Sequence, residues 1–197
     1  MLALSKHEIA TLRELGKQKA DIANLPIHSQ TRTLWRQLND RKSIRPLLLI
    51  NQIPWHEMDV HGELKNQCND PWAINLETQL RREIYCWKYV PADMVVSNYI
   101  PCPMIYHHAG VIPDEVVDVV QTDPRSDVYS RHFHPLIKNP EDIHLIRTPV
   151  VAYDEKTTYL YFEWLNIIFE GILPVVKEGI KTIWFSPWDY LIRLWGI

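Results

Sequence analysis

The residues best placed to do chemistry sit in one stretch, Arg45 to Met58, where the apolar run Leu47, Leu48, Leu49, Ile50 breaks into Asn51, Gln52, Trp55, His56 and Glu57. An apolar run without polar alternation reads as a strand buried on both faces, as in a parallel sheet covered by helices. Residues just past the carboxyl end of such a strand lie where α/β folds bind ligands. His56 and Glu57 are therefore the catalytic candidates, hydrogen-bonding a small substrate or its acceptor, with Asn51 and Trp55 as substrate contacts. His56-Glu57 does not open a zinc-protease HExxH motif, because the next histidine is His61, five residues on. Pro54 and Gly62 also leave no room for the helix that puts both imidazoles on one face.

Two further segments supply substrate contacts. Asp93 to Ile100 reads as a second strand that meets Pro101 and brings Asn98 and Tyr99 to the same rim. Trp188 and Asp189, after Ser186-Pro187, repeat the Pro-Trp-polar order of Pro54-Trp55-His56; a helix start explains that segment equally well. No metal ligand is assigned. His132 and His134 alternate on one strand face, but the carboxylates and further histidines of a metal site are missing, so they read as surface residues. His107-His108 is weaker, because adjacent side chains on a strand diverge. Asp142-x-His144 begins like a cobalamin-binding DxHxxG motif but has Arg147 where the glycine must be, which favours a solvated helix face.

Local signals define the elements that must position these residues. Ser5 and Glu8 form a capping box for a helix over 5–24, ended by Pro26, and Ser29 is positioned to cap a second helix through Asp40, with Trp35 and Leu38 inward. Asp70-Pro71 is an N-cap and first-turn pair for a helix with Leu76, Leu80, Ile84 and Trp87 on one face and a Glu77/Arg81 pair, stopping near Pro91. Strand, helix, strand implies a right-handed parallel crossover. Residues 104–135 suggest an insertion or edge hairpin, with Val116–Val120 as one strand and Val128–Phe133 alternating. Asn139-Pro140 starts a short helix, and Asp154 caps a long one through Glu170 with Gly171 as its stop. Ile172–Val176 and 182–185 are short strand-like runs, and Trp188–Trp195 is a final helix. The apolar ending, Leu194, Trp195, Ile197, suggests an interrupted domain.

Composition narrows the function classes. The 197 residues carry a net charge of -3 with both signs interspersed, so no basic patch points to nucleic acid. Six glycines, with neither GxGxxG nor GxxxxGK[ST], exclude those nucleotide loops. Cys68, Cys86 and Cys102 are few and widely spaced, which predicts a reducing, cytoplasmic setting. The most apolar stretch, Tyr159 to Val176, carries Glu163, Asn166 and Glu170 at helical spacing, giving a helix with one polar stripe and no membrane partner.

The order of RPLLLINQIPWHEM, DPWAINLETQLRREIYCWKYVPADMVV and FEGILPV followed by FSPWDYLIRLWG resembles the uroporphyrinogen decarboxylase-like superfamily, most of all its corrinoid-dependent methyltransferase branch. The resemblance covers nearly the whole chain as blocks. It implies an α/β fold, a partial (βα)8 TIM-like barrel, with residues 1–44 as a helical extension and 45–197 as the N-terminal half of the barrel. Complete barrels run to about 250 residues or more. The arginine-rich segment that grips tetrapyrrole propionates in true decarboxylases is absent after Met58, which argues against that substrate. The branch holds zinc through a His-x-Cys pair and a later cysteine; no His-x-Cys occurs here, so zinc would belong to a C-terminal half and the corrinoid to a partner protein. The implied activity is methyl transfer from a small methylated substrate. The rivals are a non-catalytic half-barrel that self-associates or completes a partner, and a decarboxylase of another small acid.

Overall fold

The computed structural model describes residues 4–59, 61–109, 116–124, 129–181 and 186–196. Its first helix, α1 (Lys6–Ala23), starts where Ser5 Oγ accepts the Glu8 N–H and Glu8 reaches back to the Ser5 N–H, the reciprocal capping box read from the sequence. A second helix, α2 (Ile27–Asn39), follows directly; its cap position is Pro26, so Ser29 lies inside the first turn and does not cap it. Pro26 has helical backbone angles and needs no N–H there, which lets the helix begin earlier than a serine signal implies. A single turn, α3 (Trp55–Met58), precedes α4 (Pro71–Tyr89), whose N-cap Asp70 accepts from the Trp72 and Ala73 N–H groups.

The strands are short: β1 (Ile100–Pro103), β2 (Tyr106–Ala109), β3 (Val117–Val120), β4 (Ser130–Phe133), β5 (Val150–Tyr153) and β6 (Val175–Glu178). A 3-10 helix spans Pro140–Leu145, α5 is Glu155–Phe169 and α6 is Pro187–Trp195. The fold is thus mixed α/β. Among the described residues the strands form three two-stranded pairs, β1 with β6, β2 with β5 and β3 with β4, and no barrel. In the first pair the Ile100 N–H donates to Pro174 O and the Met104 N–H to Glu178 O, so partners advance together and the pair is parallel. With α5 leading into β6, this is a parallel connection through a helix. The other two pairs are antiparallel. The β3/β4 pair is the hairpin expected between 104 and 135, while 182–185 lies outside the described residues.

Two strand expectations change. Leu47–Ile50 forms no strand, with Leu48, Leu49 and Ile50 exposed at 59%, 58% and 41%. An apolar run becomes a buried strand only where a neighbour supplies partners, and among the described residues none pairs with it. The second strand begins at Ile100 rather than Asp93, leaving Asn98 and Tyr99 on its amino-terminal side. Pro101 and Pro103 fall within β1, which tolerates them because it has one hydrogen-bonded neighbour.

The chain divides into two compact units, residues 1–102 with 159–177, and residues 103–158 with 178–197. The first is built on Leu12, Leu15, Ala73, Leu80, Ile100, Leu165, Ile168 and Phe169. Helix α1 closes on α5 at Gly16, where an added Cβ would lie 2.7 Å from the Phe169 ring. Arg13 donates to the Ile168 and Glu170 carbonyls, which the end of α5 leaves without helical partners. Glu163, Asn166 and Glu170 are exposed, as the polar stripe requires, and among the described residues no helix is long and apolar enough to cross a membrane. In the second unit, the Leu136 and Ile137 N–H groups donate to Leu194 O, seating α6 beside buried Ile137.

Candidate functional site

The segment from Arg45 to Met58 is held by one carboxylate that sequence reading took as the start of a strand. Asp93 accepts both Arg45 terminal nitrogens and the Leu48 N–H at 2.8 Å, and its own N–H donates to Leu48 O at 3.0 Å. Trp35 Nε1 donates to the Asp93 carbonyl at 2.7 Å, tying α2 to the same point. The Arg45 guanidinium, helped by the Leu48 N–H, holds the Asp93 carboxyl at about 2, below the usual range. The apolar run is thus fixed by Asp93, through its carboxylate and its own N–H, rather than by a sheet.

Beyond Pro54, α3 rests on α4. Tyr85 Oη donates to Met58 O at 2.7 Å, and the Tyr85 ring meets Trp55 edge-on at 6.2 Å between centroids. The Arg82 guanidinium lies 4.7 Å from the Trp55 ring centroid. Within this turn His56 Nε2 is 3.4 Å from Glu57 Oε1; the imidazole side chain is 17% exposed and the carboxylate 68%. The pair offers one exposed acceptor and one sheltered ring, an arrangement that can hydrogen-bond a small molecule or pass it a proton.

Two concavities flank α4. One, of about 550 Å³, runs along α1 and α4 past His7, Glu14, Glu63, Arg81, Tyr85 and Lys88. Its cations are matched, Lys88 on Glu63 and Arg81 on Glu77. The other, of about 270 Å³, is lined by Leu49, Ile50, Arg82, Glu83, Cys86, Val90, Pro91, Met94 and Val95. Arg82 joins it to Trp55, so the small hollow and α3 share one side chain.

The remaining candidates are dispersed. Asn51 is exposed on the extended segment before α3, and Asn98 is exposed ahead of β1. Tyr99 is half-buried beside it. Val96, just before them, is fixed by α2: Arg32 donates to its carbonyl and His28 Nδ1 accepts its N–H. Trp188, 68% exposed, and Asp189 belong to the second unit, in the first turn of α6. His132 and His134 meet ring to ring at 5.3 Å, and His134 pairs with Asp118. His107 pairs with Asp154, and His144 Nδ1 bonds the Glu141 carbonyl.

Among the described residues no group of three or more His, Cys, Asp or Glu side chains is placed to hold a metal ion. The zinc that the family resemblance assigns to a C-terminal half therefore has no ligand set among these residues. Cys68, Cys86 and Cys102 form no disulfide. Burial, reinforced by the Glu77 carboxylate, pushes the Cys68 thiol up to about 12, and burial raises Cys86 and Cys102, so all three stay protonated at neutral pH.

Sequence reading did not single out Asp93, Tyr85 or Arg82 as site residues. The clue to Arg82 and Tyr85 was their spacing on α4, three residues apart and so on neighbouring turns. No protein-family profile, curated protein or solved structure matches this chain.

Proposed function

We propose that the chain is the substrate-side part of a uroporphyrinogen decarboxylase-like TIM barrel that transfers a methyl group from a small methylated substrate in a corrinoid-dependent system. The observation that carries the reading is the pinning of Trp55, His56 and Glu57 on α4, through Tyr85 and Arg82, beside a hollow sized for a small molecule. The parallel β1/β6 pair, reached through α5, supports the reading, since such a barrel is built from parallel strands joined through helices. In this reading His56 and Glu57 hydrogen-bond the heteroatom that carries the methyl group, and Trp55 walls the apolar side. Asn51, Asn98 and Tyr99, all in the first unit, are the further substrate contacts, and the corrinoid is carried by a partner protein.

The test is the double substitution His56→Asn, Glu57→Gln in the complete barrel protein. Positioned acid-base groups are worth about 10²–10⁴ in rate, so methyl transfer falls by at least about 100-fold while the melting temperature stays put. Unchanged turnover would sink the assignment.

A second reading is favoured by the exposed Leu48, Leu49 and Ile50. An exposed apolar run that among the described residues joins no sheet is a template for another chain, so the protein self-associates or completes a partner as a half-barrel. Light scattering decides it: a concentration-dependent dimer supports the reading, and a monodisperse monomer counts against it.

A further inference from the structure

The half-buried arginines of the first unit use their N–H groups internally: Arg13 on the end of α5, Arg32 on Val96 O, and Arg81 on Glu77 and the Glu63 carbonyl. Arg82 is the exception. It is half-buried, yet among the described residues its guanidinium makes no hydrogen bond or ion pair, and its contact is with the Trp55 ring at 4.7 Å. Stacking engages the flat face of a guanidinium and leaves its edge, with donors in a fixed fork, turned away from the ring. Five donors without an acceptor at the mouth of an apolar hollow make an incomplete recognition site.

The hollow specifies what completes it. Leu49, Ile50, Val90 and Met94 give it apolar walls, and its volume of about 270 Å³ admits only a small molecule. The other charge on its lining, Glu83, is neutralised by the buried Lys19 at 2.6 Å. Cys86 is protonated through burial. Arg82 is the unmatched charge, so the fitting ligand is an anion whose body is aliphatic, and a planar carboxylate suits the fork better than a point charge would.

We infer that Arg82, with Leu49, Ile50, Val90 and Met94, forms a binding site for a small aliphatic monocarboxylate. The carboxylate lies against the guanidinium edge and the alkyl group fills the hollow that Arg82 lines. This deepens the proposed function by making the methylated substrate an acid, and rests on that reading for the link to methyl transfer; the site itself is decided by binding alone.

The experiment is a titration of the full chain with isobutyrate, followed by NMR at the Met94 methyl and Trp55 indole signals, with isobutyramide and inorganic phosphate as controls. Isobutyrate shifts both signals saturably. Isobutyramide, the same shape without the charge, and phosphate, the charge without the alkyl body, bind at least about tenfold more weakly. Arg82→Gln weakens isobutyrate by at least about tenfold, and Arg82→Lys by less, because it keeps charge but loses the fork. Among the described residues Arg82 donates to no protein group, so these variants keep the wild-type melting temperature; Leu49→Ala, on an exposed side chain, is the second variant and weakens isobutyrate without affecting phosphate. Equal binding of isobutyrate and isobutyramide, equal binding of phosphate, unchanged affinity in Arg82→Gln, or no saturable shift would each overturn the proposal. Isobutyrate binding that depends on Arg82, found together with undiminished methyl transfer in the His56 and Glu57 variant, would leave this site standing and remove the α3 reading alone.

Discussion

Replacing Glu77 tests how the loop ahead of α4 is held. Glu77 is fully buried and accepts four interactions: the Gln67 N–H at 2.9 Å, the Cys68 N–H at 2.8 Å, and Arg81 through Nε and a terminal nitrogen, both at 2.7 Å. Burial pushes its pKa up, but the Cys68 and Gln67 N–H groups and the Arg81 guanidinium outweigh that and hold the carboxyl below the usual range. Glu77→Leu fills the space but strands two backbone donors and a largely buried guanidinium. Breaking a buried pair by removing one partner costs about 3–5 kcal/mol, and two orphaned donors at about 1–3 kcal/mol each give about 2–6 kcal/mol, which brackets it. Glu77→Gln keeps one acceptor oxygen and loses the charge, so it costs about 1–3 kcal/mol. The assay is urea unfolding read by fluorescence of Trp35, Trp55, Trp72, Trp87 and Trp164, all in the first unit. For a chain of this size Glu77→Leu also lowers the melting temperature by about 6–20 °C. The folded-state pKa is depressed, so this carboxylate's contribution is complete above its ordinary pKa of 4.5 and is lost as pH falls through the lower folded value. A Glu77→Leu penalty below about 1 kcal/mol, or one indifferent to acid, would refute the reasoning.

Two more perturbations follow from the same packing. Gly16→Ala places a Cβ against the fully buried Phe169 ring; overpacking of about 1–3 kcal/mol outweighs the helix propensity gain of about 1 kcal/mol, so a thermal melt shows net destabilisation, and an increase in stability would show that α1 and α5 part easily. His28 is fully buried against Trp87 and accepts the Val96 N–H through Nδ1, and burial lowers its pKa from 6.5. Neutral imidazole is therefore the folded form, with stability complete above pH 6.5 and lost as pH falls through the depressed folded value. His28→Asn keeps an acceptor for Val96 but does not titrate, so its urea midpoint stays flatter across that window; equal acid sensitivity in both proteins would contradict this.

What the sequence made legible is what is encoded locally. The Ser5/Glu8 box, Asp70-Pro71, and Asp154 with Gly171 each concern atoms within a few residues, and the helices begin or end where those signals stand. Leu47–Ile50 failed because strand identity depends on a partner elsewhere, and its backbone is claimed instead by Asp93, more than forty residues away. The sequence pairs Glu77 with Arg81 one helical turn on; nothing nearby in sequence reveals that Gln67 and Cys68 fold onto it. His56, Glu57 and Trp55 were found by residue type and position. Arg82 was not, since only three-dimensional accounting of donors shows a guanidinium left without an acceptor.

The most direct measurement for the central claim, that α3 contacts a small methylated substrate, is to follow the Trp55 indole and His56 ring NMR signals while small methylated compounds are added: an acid, an amine, a thioether and an alcohol. At least one of them shifts both signals saturably, and the shifts are lost in the His56→Asn, Glu57→Gln protein. Signals that stay unmoved by all four, or move equally in that variant, would contradict the claim.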